Sequence, residues 1–300
     1  MPEPAEPLIF DRALARTRLR RASAAGAETF LLDRVADDLA DRLSTVLRRF
    51  DFAVDVGTPA ESVRASILRS GVVGAVVRVE SVLAATAGRP FVVADEEALP
   101  FGTAVFDLAV SGLALQFVND LPGTLVQIRR SLKPDGLFLA ALVGGETLTE
   151  LRQSFAIAES EIEGGASPRV APFADLREVG ALLQRAGFAL PVTDTDRIVV
   201  RYDSAFALMH DLRRMGATNT LLDRRRTPLR RATLLRAADV YAGRFADGDG
   251  RLRATFEIVW LSGWAPHPNQ QQPLKPGSAK ARLADALGTR EIPTGEKAGR

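Results

Sequence analysis

The chain has 300 residues, 46% hydrophobic and 25% charged, with a formal net charge of +2, the balance of a globular protein with a substantial core and no field pointing to nucleic acid. It has no cysteine and only two histidines, His210 and His267, which excludes disulfides, thiolate metal sites and cysteine nucleophiles and leaves poor material for any metal centre. No apolar run approaches the roughly 20 residues of a membrane span, and the acidic residues Glu3, Glu6 and Asp11 argue against a transit peptide, so the expected place is the cytoplasm.

Residues 1–27 form a polar, arginine-rich lead. Its stretch FDRALARTRLRRA predicts a helix packed loosely on the body, with a basic face that is either solvated or laid on a membrane or an acidic partner. The body, residues 28–265, opens with an apolar stripe at 31, 32, 35, 39, 43, 46 and 47, the spacing of an amphipathic helix over 28–47. The texture then changes to alternating strands and helices. FAVDV (52–56), VVGAVVRV (72–79), PFVVA (90–94), VFDLAVS (105–111) and GLFLAALV (136–143) are near-continuous apolar runs, as expected of strands buried on both faces of a parallel sheet. Helices are predicted between them at 60–70, 81–87 and 119–132. The segment LKPDG (132–136) predicts a tight turn into the fifth strand, with Pro134 and Gly136 supplying its dihedrals. Thr147 and Glu150 have the spacing of a capping box and predict a helix from 147 to about 162. Further helices are expected at 174–186, closed by Gly187, at 204–216, between Ser204 and Gly216, and at 228–245. RIVVRYD (197–203) and TFEIVWLSGWA (255–265) complete the set of strands. Beyond Pro266 the composition turns to Pro, Gln, Gly and Lys, which predicts a disordered tail over 266–300.

The fold class is therefore α/β, a doubly wound and mostly parallel sheet. In such sheets ligands bind beyond the carboxyl ends of the strands, where strand order reverses. The first strand ends in VDVGTPAES, a strand, an acid and a glycine leading into a helix. Asp55 either orients the glycine turn, binds a ligand amine, or is a buried acid satisfying backbone donors. Gly57 serves the sharp turn whether or not a ligand binds. Asp95 either accepts from an adenine amino group or caps the turn that follows it.

VDVG, then ADEEALPFGTAVFDLAVSGLALQFVNDLP (94–122) and LKPDGLFLAAL (132–142) resemble the motifs of class I S-adenosylmethionine methyltransferases. GGETLTELR (144–152), SPRVAPF (167–173), RAGF (185–188), DTD (194–196), DLRRMGATN (211–219) and the amino-terminal FDRALARTR (10–18) resemble, more particularly, the complex I assembly factor 5 family. The resemblance spans roughly residues 8–265. The malonyl-carrier methyltransferases share the central pattern. The resemblance implies a seven-stranded sheet with an antiparallel last strand and S-adenosylmethionine held by Asp55 and Gly57, by Asp95 and Glu96 on the adenine side, and by Leu113 to Phe117 beneath the methyl donor. It further implies a partner among the subunits of respiratory complex I and, within the family, arginine hydroxylation. Contact with the inner membrane from its periphery fits such a partner.

Two departures bear on the cofactor. The family's first motif has the form DLGCGRG, and here Pro59 and Glu61 stand for two of its glycines. Proline fixes φ and offers no N–H, and a carboxylate at Glu61 would face the ligand's own carboxylate. The acid that normally ends the second strand and takes the ribose hydroxyls is replaced by Val77, so that Glu80 either substitutes for it or opens the next helix. A weakened grip on S-adenosylmethionine is expected. Three functions remain in view: methyl transfer to a protein or carrier-bound acceptor, with Gln116, Asn119, Asp120 and Arg152 on the acceptor side; a non-catalytic assembly factor; and arginine hydroxylation. Asn119 and Asp120 also suit the cap of the next helix, and Arg152 an exposed helix charge. The sequence identifies no catalytic residue and no oligomeric state.

Overall fold

The computed structural model describes residues 8–82, 90–171, 176–270, 285 and 287–290. Contacts divide the chain into a body, Met1–Pro266, and a second unit, His267–Arg300, most of which lies outside the described residues, as does most of the helix expected at 81–87.

The body carries seven strands, β1 (Phe50–Val56), β2 (Val73–Glu80), β3 (Phe91–Val93), β4 (Phe106–Gly112), β5 (Leu132–Val143), β6 (Ala189–Tyr202) and β7 (Leu252–Trp264), in the sheet order β3-β2-β1-β4-β5-β7-β6. The first five pair in parallel, and β7 runs antiparallel to both β5 and β6. The expected doubly wound sheet with an antiparallel last strand is therefore present. Its order reverses between β1 and β4, which opens the crevice there.

Eight α-helices are described: α1 (Arg12–Ala24), α2 (Phe30–Ser44), α3 (Ser62–Arg69), α4 (Leu121–Ser131), α5 (Thr149–Glu163), α6 (Leu176–Arg185), α7 (Ala205–Arg214) and α8 (Arg231–Phe245). One face of the sheet packs with α2, α3, α5, α7 and α8 through residues such as Leu39, Ile67, Phe155, Leu208 and Tyr241. The other packs with α4 and α6 through Leu125, Ile128, Val179 and Leu183. Burial on both faces is why β1, β4 and β5 read as unbroken apolar runs.

Four local expectations change. The segment LKPDG is the start of β5, and its left-handed residue is Asp135 (φ 62), not Gly136; a Cβ on Gly136 would lie 2.9 Å from the Lys133 carbonyl oxygen, so glycine is needed there for closeness. β6 begins at Ala189, eight residues before the expected start, because it is an edge strand with side chains largely in solvent, and exposed strands carry no apolar run. Thr147 and Glu150 form no capping box. The N-cap of α5 is Leu148 (φ 55), with no side-chain bond. β5 ends opposite Ile258, leaving β7 amides beyond it without a strand partner. Thr147 Oγ1 accepts from Glu257 N (2.9 Å), and Glu150 accepts from Thr255 N (3.1 Å) and Oγ1 (2.5 Å). Buried amides without a ladder partner captured both side chains.

The fourth change is the lead, which is pinned. Asn119 Oδ1 accepts from Ile9 N (2.9 Å) and Phe10 N (2.8 Å), and its Nδ2 donates to Phe10 O (3.1 Å). Asp11 N donates to Thr220 O (2.8 Å), and the Asp11 carboxylate pairs with Arg224 (3.0 Å). At the far end of α1, Arg214 donates to Gly26 O (2.9 Å). Asn119→Ala is expected to cost about 1–2 kcal/mol and to speed tryptic cleavage within residues 12–21; cleavage at the wild-type rate would show the tie to be dispensable.

Candidate functional site

The site lies where β1 and β4 end beside each other. Gly57 takes φ +74 and donates to Val79 O (2.9 Å), turning the chain off β1. Thr58 points inward: its hydroxyl bonds Asp55 Oδ1 and accepts from Gly112 N (2.9 Å). The turn after β1 is thus tied to the end of β4. Leu113, which follows, holds a left-handed backbone (φ 51), an uncommon state for a branched side chain and one that persists only where the surroundings impose it.

Parity along β2 decides the electrostatics. Val77 and Val79 face the core beside Val54 and Val56, whereas Arg78 and Glu80 face the other way; Arg78 is in register with Asp55. Arg78 is 3% exposed and Asp55 0%. The Arg78 guanidinium pairs with Glu61 Oε1 (2.7 Å) and Glu80 Oε1 (2.8 Å), lies 3.8 Å from Asp55 Oδ2, and donates to Thr58 O (2.9 Å). Burial pushes the Asp55 carboxyl up to about 7, against the pull of Arg78 and the Thr58 hydroxyl and with the help of Glu61 and Glu80. Glu61 is no bare carboxylate, since Arg64 holds its second oxygen (3.1 Å). Glu80 is the last residue of β2, and the helix it was expected to open lies mostly outside the described residues.

The adenine-side acids are engaged from α1. Arg12 reaches Asp95 Oδ1 (2.5 Å), Glu96 and Glu97 (3.5 Å), and Arg16 reaches Asp95. Asp95 also accepts from Glu97 N (3.0 Å), the capping role expected as its alternative. Burial raises its carboxyl, but the Glu97 amide and the two arginines outweigh this and hold it below the usual range. The Glu96 side chain crosses the turn: a Cβ on Gly57 would lie 2.8 Å from Glu96 Cγ.

A cavity of about 380 Å³, mostly apolar, extends from this turn beneath α1. Pro59, Ala60, Ser81 and Glu96 reach it from the cofactor side; Leu113, Gln116 and Phe117 follow β4; Thr147, Leu148 and Leu151 come from α5 and its approach, Arg169 and Val170 from the loop after α5, and Leu212 to Thr220 from α7 and its exit. Gln116 Nε2 donates to Leu113 O (2.7 Å), while its Oε1 is buried with no hydrogen-bond partner among the described residues. Among the acceptor-side candidates, only Gln116 lines this cavity. Asn119 ties down the lead, Asp120 caps α4 by accepting from Gly123 N (2.7 Å), and Arg152 is half-buried and donates to Gly145 O (3.0 Å) and Thr147 O (3.3 Å). Arg78, Arg12 and Arg16 were not among the residues singled out. A charged residue inside an apolar strand, with the parity of Asp55, was the available signal for the first; the i,i+4 pair of arginines on the lead helix was that for the others.

These residues do not fit S-adenosylmethionine. A nucleoside needs a close glycine backbone and a free acid at the end of the second strand for its ribose hydroxyls. Glu80 is 6% exposed, bound to Arg78, and does not line the cavity. The adenine-side acids are held by arginines, and proline and alanine occupy the approach.

A family model described as a methyltransferase domain matches residues 54–140. The protein named arginine-hydroxylase NDUFAF5, mitochondrial, of Danio rerio is 39% identical over 287 residues, 92% of this chain and 89% of that one. Its Homo sapiens counterpart is 40% identical over 287 residues, 92% and 83%. A malonyl-[acyl-carrier protein] O-methyltransferase of Xylella fastidiosa is 38% identical over 172 residues, 57% of this chain and 56% of its own. Among solved structures, one described as a putative methyltransferase, from Bacillus halodurans, shares the fold at 13% identity, with a TM-score of 0.50 over 77% of this chain and 99% of that one.

Proposed function

Because the chain belongs to the NDUFAF5-type family within the class I S-adenosylmethionine methyltransferase fold, we propose that it acts on an arginine-bearing segment of a respiratory complex I subunit, received in the cavity beneath α1. One observation carries this reading. Four of the six segments that resemble the assembly-factor family in particular converge on that cavity: FDRALARTR through Arg12 and Arg16, GGETLTELR through Leu148 and Leu151, SPRVAPF through Arg169 and Val170, and DLRRMGATN through Leu212 and Met215. The segments that resemble methyltransferases in general supply the sealed turn. Apolar walls suit the methylene stem of an arginine.

The modification that the relatives' name specifies is hydroxylation of arginine, and this reading carries it over with dioxygen as the oxygen source, one atom entering the arginine and the other leaving as water with two electrons from an external reductant. The test is mass spectrometry of complex I subunits from a strain lacking this chain. One subunit is expected to lose a single oxygen from an arginine, with lower complex I activity. Unchanged masses with impaired assembly would favour the second reading, a factor that holds the subunit without modifying it, which the sealed cofactor turn supports. Unchanged masses with normal assembly would end both. No described helix is long and apolar enough to cross a membrane, and the proposed meeting place is the cytoplasmic side of the inner membrane, reached from its periphery.

A further inference from the structure

We infer that the Arg78–Glu61 ion pair takes the place of S-adenosylmethionine in this chain, ordering by itself the turn that the cofactor orders elsewhere in the fold, so that the protein works without binding that nucleoside. This inference stands whether or not the cavity receives a subunit.

A nucleoside bound at this turn touches four segments: the end of β1, the turn itself, the start of the following helix and the end of β2. Arg78 joins the same four. Its guanidinium faces Asp55 on β1, donates to the Thr58 carbonyl in the turn, and pairs with Glu61 at the N-cap of α3 and with Glu80 at the end of β2. Of the two partners that close the site, Glu61 stands where the family's first motif has a glycine, and Arg78 follows Val77, the position of the usual second-strand acid. They neutralise one another at 2.7 Å, with Arg64 on the second Glu61 oxygen and Glu80 on the guanidinium. Glu61 is partly open to solvent, but the Arg78–Glu80 pair is buried at both ends; such a pair is strongly unfavourable to break from one side, and a ligand entering here must displace the guanidinium from its carboxylates. The resulting loss is about a hundredfold or more in affinity. The α1 arginines do the same at the next strand end, with Arg12 and Arg16 neutralising Asp95 and Glu96. Since α1 is pinned at both ends, those contacts form a fixed wall.

The experiment is calorimetric titration and thermal shift of the full chain with S-adenosylmethionine and S-adenosylhomocysteine up to about millimolar, where a ligand bound a hundredfold more tightly would shift the melting point measurably. The wild type is expected to give no heat and no shift, and the double variant Glu61→Gly, Arg78→Gln, which removes the guanidinium without adding a carboxylate, to gain binding by at least about tenfold. Wild-type saturation at micromolar ligand overturns the inference, and so does a folded double variant that stays silent. Should the double variant fail to fold, hydrogen exchange of the ligand-free wild type decides. Amides of residues 58 and 60–62 protected like those of β1 support an ion pair that orders the turn, and free exchange there overturns it.

Discussion

Arg78→Leu is expected to destabilise the folded chain by about 3–5 kcal/mol, the largest effect of any single substitution near the site, because it leaves buried carboxylates without their counter-charge. Asp55 and Glu80 have almost no access to water, and neither can turn outward without breaking the turn after β1. The effect depends on pH in a definite direction. The Asp55 carboxyl is raised from an ordinary 3.8 to about 7, so the folded state holds that proton more tightly than the unfolded one. Its contribution to stability is fully present below pH 3.8 and is lost as pH rises through about 7. Removing Arg78 takes away a favourable partner of the ionised form, so the variant should lose most on the alkaline side. Urea midpoints between acid and neutral pH measure this. Asp55→Asn, which keeps an acceptor for Thr58 but cannot ionise, should flatten the slope. A variant Arg78→Leu as stable as the wild type at neutral pH would show the hub to be incidental.

Glu159→Ala is expected to have the second large effect, about 3–5 kcal/mol, joined to a loss of subunit retention of tenfold or more if the cavity serves as proposed. Glu159 lies on α5, is 0% exposed, and gathers the loop that follows: it accepts from Ser167 N (2.7 Å), Ser167 Oγ (2.9 Å) and Arg169 Nε (2.8 Å). Burial raises its carboxyl, but the Ser167 amide, Arg169 and the Ser167 hydroxyl together hold it below its ordinary value of 4.5. The stabilisation is therefore present above that pH and is lost as pH falls through the lower folded value. Without this carboxylate, Arg169 and Val170 lose their fixed place in the cavity wall. Hydrogen exchange at residues 167–171 reads the loosening directly, and unchanged exchange there would refute the anchoring role.

Most of the architecture was legible because β1, β4 and β5 are buried on two faces and announce themselves as apolar runs. β6 was legible only from Arg197 onward; the residues before it, ALPVTDTD, serve a sheet edge and none of them is buried. Thr147 and Glu150 show how a local motif can be overruled, since their spacing is that of a cap but unpaired β7 amides a hundred residues away claimed them. At the site, Asp55 and Gly57 stood out from their place after a strand. On β2 the family's acid aligns with Val77, whose side chain faces the core, while the next residue, Arg78, shares the face of Asp55. Successive residues along a strand take opposite faces, so the base that fills the site lies one position beyond the missing acid. The expected repulsion from Glu61 likewise dissolves once its partner is known.

The free margin of β6 has a further consequence. Fourteen residues of open backbone, with Leu190, Val192 and Val199 bare to solvent, would invite strands from neighbouring molecules to add on and grow into aggregates. Midway along that border lies Asp194-Thr195-Asp196-Arg197, with both aspartates clasped by Arg42 from α2. An incoming strand would have to desolvate this charged block at the centre of its path, so the rim that pairs least is also the one that keeps molecules apart.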